Sequence, residues 1–293
     1  MDLEFKPLSD HFGAEVLGVD LSQPIDDETF SAIEKAYAKY GVLVFRDQTL
    51  TEPDFINFTK RFGELHIYPL AEYAHKTYPE ILVLSNIVDD EGNAIGLNDG
   101  GSTWHTDNSY TKVPPRGTFL YSLEVPIDDS GNALGDTVFS SVTAAYDDLP
   151  EATKTLLQGR TTTHSYEGKH TLRMKIGKYK RKPMTKEILD KLPPVEHPVI
   201  RVHPQSGRKC IYVIAGECKG ISGMPDDEAE TLLDDLAERC HRPEYVYAHQ
   251  WRKGDVVFWD NCVVQHSATQ NYDLPLRRLL WRTTIKGSIP AAN

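Results

Sequence analysis

Three residues have the types and spacing of a metal site. His105 and Asp107 are separated by one residue in the segment WHTDNSY, and His266 ends the segment DVVFWDNCVVQH at 255–266, which we expect to be a buried strand. On a strand, residues i and i+2 point to the same face, so His105 and Asp107 would reach one ion. Two imidazoles and one carboxylate leave three coordination positions open, which is the donor set of non-haem Fe(II) oxygenases. The same groups around zinc would instead serve a hydrolase.

Two arginines follow the last of these residues. Arg278 and Arg282 are four positions apart in the segment RRLLWRTTI, so on a strand both side chains point to the same side. The planar guanidinium group suits carboxylates and similar anions. Beside a metal site the pair would hold organic anions; without one, surface salt bridges would be the simpler interpretation.

Many short strands and a few helices must position these residues. Apolar residues at helical spacing predict helices at 26–40, 51–62, 143–157, with a break near Pro150, and 225–238. Short apolar runs between turn signals predict strands at 13–21, 42–45, 81–84, 119–123, 137–140, 246–249, 256–259 and 279–285. This pattern favours a mainly antiparallel barrel or double-sheet sandwich with flanking helices over a parallel βαβ fold.

The composition is that of an ordinary globular protein. The chain has 293 residues, of which 40% are hydrophobic and 26% charged, and this excludes a wholly disordered chain. The length fits one large β domain or two smaller domains. No apolar run reaches the roughly 18 residues of a membrane span. The N-terminal segment MDLEFKPLSD has no basic start followed by an apolar stretch, so we expect no signal peptide.

The net charge and the cysteines indicate which partners and which cellular compartment to expect. The formal net charge is −11, which disfavours nucleic acid and anionic membranes as partners. None of the four cysteines belongs to a CxxC pair. We therefore expect reduced thiols in a cytoplasmic protein rather than a disulfide framework or a zinc knuckle.

A basic segment interrupts this acidic chain. Seven Lys or Arg residues lie between Lys169 and Lys182. The simplest interpretation is a solvated, mobile loop, and the alternative is an active-site lid near residues 167–184 that attracts an anionic substrate. A nucleic-acid patch is less favoured, because Tyr179 in the segment and Tyr166 just before it are the only tyrosines to interleave with the basic residues.

Segments along nearly the whole chain, about residues 8–287, are shared with one enzyme family. They are GAEVLGVDLSQP, YGVLVFRDQTLT, FTKRFGEL, WHTDNSY, GDTVFSSVTAAYDDLP, HPVIRVHPQSGRKCIYV, WRKGDVVFWDNCVVQHSAT and RRLLWRTTI. On these segments the sequence resembles the taurine dioxygenase (TauD/TfdA) family of Fe(II)- and 2-oxoglutarate-dependent dioxygenases, which includes aryloxyalkanoate herbicide dioxygenases.

The resemblance implies a fold and a set of cofactor residues. The fold would be a double-stranded β-helix, or jelly-roll, core in a single domain over 1–293. His105, Asp107 and His266 would bind Fe(II). Thr137 would bind a carboxylate of 2-oxoglutarate through its hydroxyl, and Arg278 would form a salt bridge with the distal carboxylate. O2 would be the second cosubstrate, and family members are often dimers or tetramers.

The resemblance also implies where the prime substrate lies. Arg282 matches the arginine that contacts the anionic group of sulfonate and aryloxyacetate substrates, and Asn108 takes a substrate-side position. Tyr68 and Ala71 stand where taurine enzymes have a histidine and a tyrosine, and Gly101 replaces a substrate-side asparagine. These differences argue against taurine itself as the substrate, while Arg282 still favours an anionic substrate.

The implied reaction is hydroxylation of a C–H bond in a small sulfonate, sulfate ester or aryloxy or alkyl carboxylate, giving succinate and CO2. Cleavage of a C–S, C–O or C–N bond would follow where the hydroxylated carbon bears S, O or N. Because Asp107 is present, we expect hydroxylation rather than halogenation.

The residues leave three further functions open. The first is the same chemistry on an amino-acid-like substrate, contacted by Lys169 and Glu217, although Glu217 equally fits a structural or solvent-facing role. The second is a metal-dependent hydrolase that uses the same three ligands around zinc. The third is an inactive binding protein of the same fold, which the complete ligand set and the two arginines disfavour.

Overall fold

The computed structural model describes residues 3–67, 71–98, 101–176 and 183–292, without the side chains of Ala71 and Ile176. The strands are β1 (Glu4–Pro7), β2 (Ala14–Leu17), β3 (Val42–Phe45), β4 (Leu82–Ser85), β5 (Gly117–Glu124), β6 (Thr137–Ser141), β7 (Thr161–His164), β8 (Val195–Pro198), β9 (Ile200–Val202), β10 (Lys209–Ile211), β11 (Cys218–Lys219), β12 (Val246–His249), β13 (Val256–Asp260), β14 (Val264–Ala268) and β15 (Leu279–Ile285). The helices are α1 (Asp27–Tyr40), α2 (Glu52–Lys60), α3 (Val142–Asp147), α4 (Glu151–Leu157), α5 (Tyr166–Ile176), α6 (Lys186–Lys191) and α7 (Asp226–Cys240).

Two sheets form the centre of the fold. The larger has seven strands in the order β1-β2-β3-β13-β5-β15-β4, and the smaller has the order β12-β6-β14. Only the contact between β2 and β3 is parallel among the strand pairs in the described residues. Two further small sheets, β11-β7-β8 and β10-β9, lie outside this pair. The fold is therefore mainly β and mainly antiparallel with flanking helices, as the sequence predicts.

Alternating side chains divide the core into two layers. On β13, Val256 and Phe258 belong to one buried apolar cluster, which also contains residues of α1 and α2. Val257 and Trp259 belong to the other cluster, which also contains Phe139 of the smaller sheet. Successive residues of a strand point to opposite faces, so the larger sheet is covered by helices on one face and by the smaller sheet on the other. The space between the two sheets is where the candidate site lies.

Local sequence signals explain where the first helix begins and ends. The Asp26 carboxylate accepts a hydrogen bond from the backbone N–H of Thr29 at 2.8 Å, which caps α1. Gly41 has a φ of 70° and donates its N–H to the Tyr37 carbonyl. A left-handed residue at this position favours glycine and ends the helix. The prediction of a helix at 26–40 is confirmed.

The prediction of a strand over 255–266 is wrong. β13 ends at Asp260 and belongs to the larger sheet, whereas β14 begins at Val264 and belongs to the smaller one. Residues 261–263 between them form a turn, in which the Asp260 carboxylate accepts a hydrogen bond from the Cys262 N–H at 2.7 Å. The chain thus crosses from one sheet to the other, and His266 lies in the middle of β14 rather than at a strand end.

The basic segment is also different from its simplest interpretation. Residues Tyr166–Ile176 form the helix α5 instead of a solvated loop, and Lys169 is buried with 5% of its surface exposed. The remaining basic residues at 177–182 lie outside the described residues. Within the part of the chain that is described, none of the helices has both the length and the apolar surface to cross a membrane.

Candidate active site

Pairing of two short segments brings the predicted ligands together. His105 and His266 form an isolated antiparallel bridge, with backbone N–O distances of 3.0 and 2.8 Å. Asp107 lies at the start of the turn that follows. The expectation that His105 and Asp107 share a regular strand is therefore wrong. Backbone pairing with β14, which is distant in the sequence, positions His105 instead.

The three side chains converge as a metal site requires. The Nε2 atoms of His105 and His266 each lie 3.8 Å from Asp107 Oδ1, and one ligand atom from each residue lies within 4.8 Å of the other two. All three residues are buried. Among the described residues this is the only such cluster of His, Cys, Asp or Glu side chains. Its two imidazoles and one carboxylate suit a divalent transition metal with open coordination positions.

Burial and charge favour the protonation states that a metal needs. Burial lowers the pKa of His105 well below its ordinary value and the pKa of His266 to about 4. Burial alone would raise the pKa of Asp107, but the Arg282 guanidinium and the two imidazoles hold that pKa well below its usual range. The result is two neutral imidazoles and an ionised carboxylate, the forms that bind metals.

Hydrogen bonds orient two of the ligands. His105 Nδ1 donates to the Thr103 carbonyl oxygen at 2.7 Å, which leaves Nε2 as the nitrogen with a free lone pair. Thr118 donates from Oγ1 to Asp107 Oδ2 at 2.7 Å, and Asn261 accepts from the Asp107 N–H at 3.3 Å. These partners restrict both side chains to the geometry of the cluster.

One pocket joins the candidate metal site to the predicted cosubstrate residues. Its lining includes five residues predicted from the sequence: His105, His266, Thr137, Arg278 and Arg282. Gly101 also lines it. The prediction that Arg278 and Arg282 face the same side is confirmed, although Arg278 precedes β15 and a bulge lies between Leu279 and Leu280.

Two aromatic residues next to Thr137 and Arg278, namely Trp251 and Tyr272, were missed by the sequence predictions. Trp251 donates from Nε1 to Thr137 Oγ1 at 3.1 Å, and its ring lies 5.9 Å from the Arg278 guanidinium carbon. Arg278 also donates from Nη1 to the Tyr272 hydroxyl at 3.2 Å. A Cβ at Gly135, which has a φ of 76°, would lie only 2.7 Å from the Tyr272 ring. The glycine two residues before Thr137 is the one sequence signal that points to this close approach.

The other arginine lies against the candidate metal site. Arg282 places Nη2 2.8 Å from Asp107 Oδ1 and donates from Nε to Thr284 Oγ1 at 3.2 Å. Its side chain is 14% exposed. A guanidinium held at this position can attract an anion toward the metal ligands.

The other predicted substrate residues are less well supported by their positions. Asn108 has a φ of 45°, and its side-chain oxygen accepts a hydrogen bond from the Tyr110 hydroxyl at 2.9 Å. Asn108 does not line the pocket. Tyr68 lies outside the described residues, as does the side chain of Ala71.

The position of Glu217 decides between the roles expected for it. Glu217 is 2% exposed, so a solvent-facing position is wrong. Its Oε1 atom lies 3.0 Å from Lys169 Nζ, and its Oε2 atom accepts a hydrogen bond from Ser109 Oγ at 2.6 Å. The two residues that were expected to contact an amino-acid-like substrate therefore pair with each other.

Comparison with known proteins gives full-length relatives. A (S)-phenoxypropionate/alpha-ketoglutarate dioxygenase of Sphingobium herbicidovorans is 32% identical over 97% of this chain and 95% of the relative. Pentalenolactone F synthase of Streptomyces arenae is 32% identical over 92% of this chain and 90% of its own. An alpha-ketoglutarate-dependent sulfate ester dioxygenase of Pseudomonas putida is 31% identical over 99% of this chain and 91% of the relative.

Solved structures agree with these relatives. The crystal structure of a taurine dioxygenase from Burkholderia xenovorans superposes with a TM-score of 0.80 at 30% identity, covering 99% of this chain and 91% of the other. The crystal structure of AAD-2 in complex with Mn(II) and N-oxalylglycine superposes with a TM-score of 0.79 at 29% identity and covers 99% of both chains.

A sequence model of the family described as "Taurine catabolism dioxygenase TauD, TfdA family" matches residues 4–284. That match spans the candidate metal ligands, the pocket arginines and nearly all of the described fold. The chain belongs to the TauD/TfdA family of 2-oxoglutarate-dependent dioxygenases.

Proposed function

We propose that this dioxygenase binds Fe(II) through His105, Asp107 and His266 and hydroxylates a C–H bond of a small anionic organic substrate. One observation carries the proposal: the three ligand atoms lie within 4.8 Å of one another in a buried site beside the Arg282 guanidinium. The donor set fits Fe(II), since two imidazoles and a carboxylate leave room for cosubstrate and O2.

Thr137 and Arg278 are the proposed binding residues for 2-oxoglutarate. Because Thr137 Oγ1 already accepts a hydrogen bond from Trp251, its own O–H can donate to a carboxylate in the pocket. Arg278 is 8% exposed, and its guanidinium would form a charge-assisted pair with the distal carboxylate. We place both residues in a double-stranded β-helix core that is part of a single domain over 1–293.

The metal and 2-oxoglutarate, when bound, would supply O2 activation, with one oxygen atom entering succinate and the other the substrate. The overall reaction converts 2-oxoglutarate, O2 and R–H into succinate, CO2 and R–OH. The protein's own contribution is to fix which C–H bond lies nearest the metal. Where the hydroxylated carbon bears O, S or N, collapse of the product would cleave that bond.

Arg282 is the proposed contact for the substrate anion. The relatives named for phenoxypropionate, sulfate esters and sulfonates support a carboxylate, sulfate or sulfonate as that group. An amino-acid-like substrate is less well supported, because Lys169 and Glu217 pair with each other. Substrate contacts by Asn108 and Tyr68, closure of residues 167–184 as a lid, a dimer or tetramer, and a cytoplasmic location stay predictions.

The proposal is tested by succinate formation under air with Fe(II), ascorbate and 2-oxoglutarate. The substrate panel holds alkyl sulfonates, sulfate esters, aryloxyalkanoates and N-substituted amino acids. We expect stimulation by one of the three anionic classes, with an aldehyde, a ketone or an alcohol as the second product. Stimulation by the amino acids alone would contradict the assigned substrate class, and absence of 2-oxoglutarate turnover would contradict the proposed chemistry.

A further inference from the structure

A buried chain of polar side chains links helix α5 to the segment that carries a proposed metal ligand. Ser109, Glu217 and Lys169 are each no more than 5% exposed. The Glu217 carboxylate accepts a hydrogen bond from Ser109 on one oxygen and contacts the Lys169 ammonium at 3.0 Å on the other. A buried charge without a partner is costly, so these contacts are expensive to break. The elements that carry Ser109, Glu217 and Lys169 are therefore restricted in moving separately.

One end of this chain lies in the Asp107 loop, which we define as residues 107–111. Ser109 is two residues from the proposed ligand Asp107. Within the loop, the Asn108 carbonyl accepts hydrogen bonds from the Thr111 N–H at 3.0 Å and from Thr111 Oγ1 at 2.8 Å. A His197 nitrogen donates to the Thr111 carbonyl at 2.9 Å. These hydrogen bonds make the loop rigid, so a displacement of Ser109 would also displace the rest of the loop.

The other end lies at the beginning of α5. The Glu217 carbonyl accepts the Ser165 N–H at 2.9 Å, so Glu217 contacts this helix through its backbone as well as its side chain. A Cβ at Gly168 would lie only 2.1 Å from the Gly216 carbonyl oxygen, which shows how closely the helix approaches the segment before β11. The Lys169 ammonium also lies 5.3 Å from the centre of the Tyr110 ring, within range of a cation–π contact.

We propose that Glu217 is a positioning residue that fixes α5 to the Asp107 loop, so that metal binding at the loop and ordering of α5 are coupled. The inference rests on the proposed metal site and assigns Glu217 no contact with metal or substrate. Such coupling is a reciprocal free energy between two sites. A change in metal binding must therefore change the ordering of α5, and a change in the ordering of α5 must change metal binding. The coupling is carried by the two contacts that join Ser109, Glu217 and Lys169.

The test uses Co(II) with N-oxalylglycine, because these probes need no knowledge of the prime substrate. Hydrogen exchange is measured on peptides from α5 and from the Asp107 loop, before and after loading, and Co(II) affinity is read from its visible absorption. In the wild type we expect both regions to exchange more slowly after loading. In Ser109→Ala we expect the loop to respond, the α5 response to fall by at least half, and Co(II) to bind roughly three- to tenfold more weakly.

Thr59→Val is the matched control. Thr59 is also fully buried and donates one hydroxyl hydrogen bond, to the Ile56 carbonyl at 3.1 Å, but it lies in α2. Its variant should keep the wild-type α5 response and Co(II) affinity. Equal behaviour of Ser109→Ala and Thr59→Val in both readouts would overturn the proposal.

A second variant tests the other end of the chain. Lys169→Met combined with Glu217→Gln removes both charges, leaves none buried without a partner, and keeps an amide oxygen for Ser109. We expect α5 to lose its response to loading in this variant, and a retained response would overturn the proposal. A wild-type protein that binds no Co(II) would instead overturn the proposed metal site, which is a different failure.

Discussion

Arg282 Nη2 lies 2.8 Å from Asp107 Oδ1, the same oxygen that lies 3.8 Å from the Nε2 atoms of both His105 and His266. A proposed substrate anchor and a proposed metal thus share one carboxylate oxygen. The guanidinium favours the ionised form of Asp107, but its charge also opposes a divalent cation at the same place. Substrate binding and metal binding are expected to influence each other through this residue.

Replacing Arg282 by methionine should separate its two effects. Without the positive charge, Co(II) should bind roughly three- to tenfold more tightly, because repulsion next to Asp107 is removed. The KM for the anionic substrate should rise roughly 10- to 100-fold, as expected for loss of a charge-assisted hydrogen bond. Arg277→Met is the control, since Arg277 is half exposed and pairs with Glu124 instead. A rise in KM of similar size in both variants would contradict the role of Arg282.

Thr137→Val should weaken 2-oxoglutarate binding while Thr137→Ser retains it. The valine lacks the hydroxyl that we assign to a carboxylate, so the Kd should rise roughly 10-fold or more. It also leaves the Trp251 N–H without its acceptor. The Kd is measured by calorimetric titration of N-oxalylglycine into the Mn(II)-loaded protein. Equal affinity in the valine and serine variants would show that the hydroxyl is not used.

Gly135→Ala should disturb the proposed cosubstrate pocket more than its backbone strain explains. Gly135 and Gly131 both have φ near 80°, so alanine at either position should cost about 1 kcal/mol of unfolding free energy. Only at Gly135 would the new Cβ meet the Tyr272 ring and approach Arg278, since nothing lies within 4 Å of a Cβ at Gly131. N-oxalylglycine affinity should fall in Gly135→Ala and stay unchanged in Gly131→Ala. Unchanged affinity in both would contradict the assignment of this pocket.

The metal-free protein should lose stability as the pH falls below about 6.5. Burial lowers the pKa values of His164, His197 and His249 below the ordinary value of 6.5. Below pH 6.5 these histidines therefore bind protons in the unfolded chain but stay neutral in the folded protein. Each such histidine contributes stability that is fully present above its unfolded pKa and is lost at up to ~1.4 kcal/mol per pH unit toward its folded pKa.

Urea unfolding at a series of pH values measures this effect. His164→Gln removes one of these groups, so its unfolding free energy should fall less steeply between pH 6.5 and pH 5 than that of the wild type. Parallel slopes for the two proteins would contradict the lowered pKa of His164.

The sequence predicts the site better than it predicts the elements that hold it. The proposed ligands and both arginines are recognisable from short motifs, because their chemistry requires particular residue types. The crossing between β13 and β14 escapes prediction, since two polar residues, Asp260 and Asn261, are too few to break the apolar run. The segment therefore has the pattern of one strand.

Contacts between distant residues explain the other errors. Lys169 has the pattern of an exposed residue because its partner Glu217 is far away in the sequence, and only the folded chain brings the two charges together. Trp251 likewise lies 114 residues from the Thr137 hydroxyl that it orients. Local patterns carry no information about such pairs, so neither the burial of Lys169 nor the role of Trp251 could be predicted.

Anaerobic titration of Fe(II) into the metal-free protein with 2-oxoglutarate tests the central claim most directly. The visible absorption band of an Fe(II)–2-oxoglutarate chelate reports binding before any substrate is known. We predict saturation at one Fe(II) per chain in the wild type, and no band in Asp107→Ala or His266→Ala. A wild-type protein without the band, or a band of full intensity in either variant, would contradict the assignment of His105, Asp107 and His266 as the metal ligands.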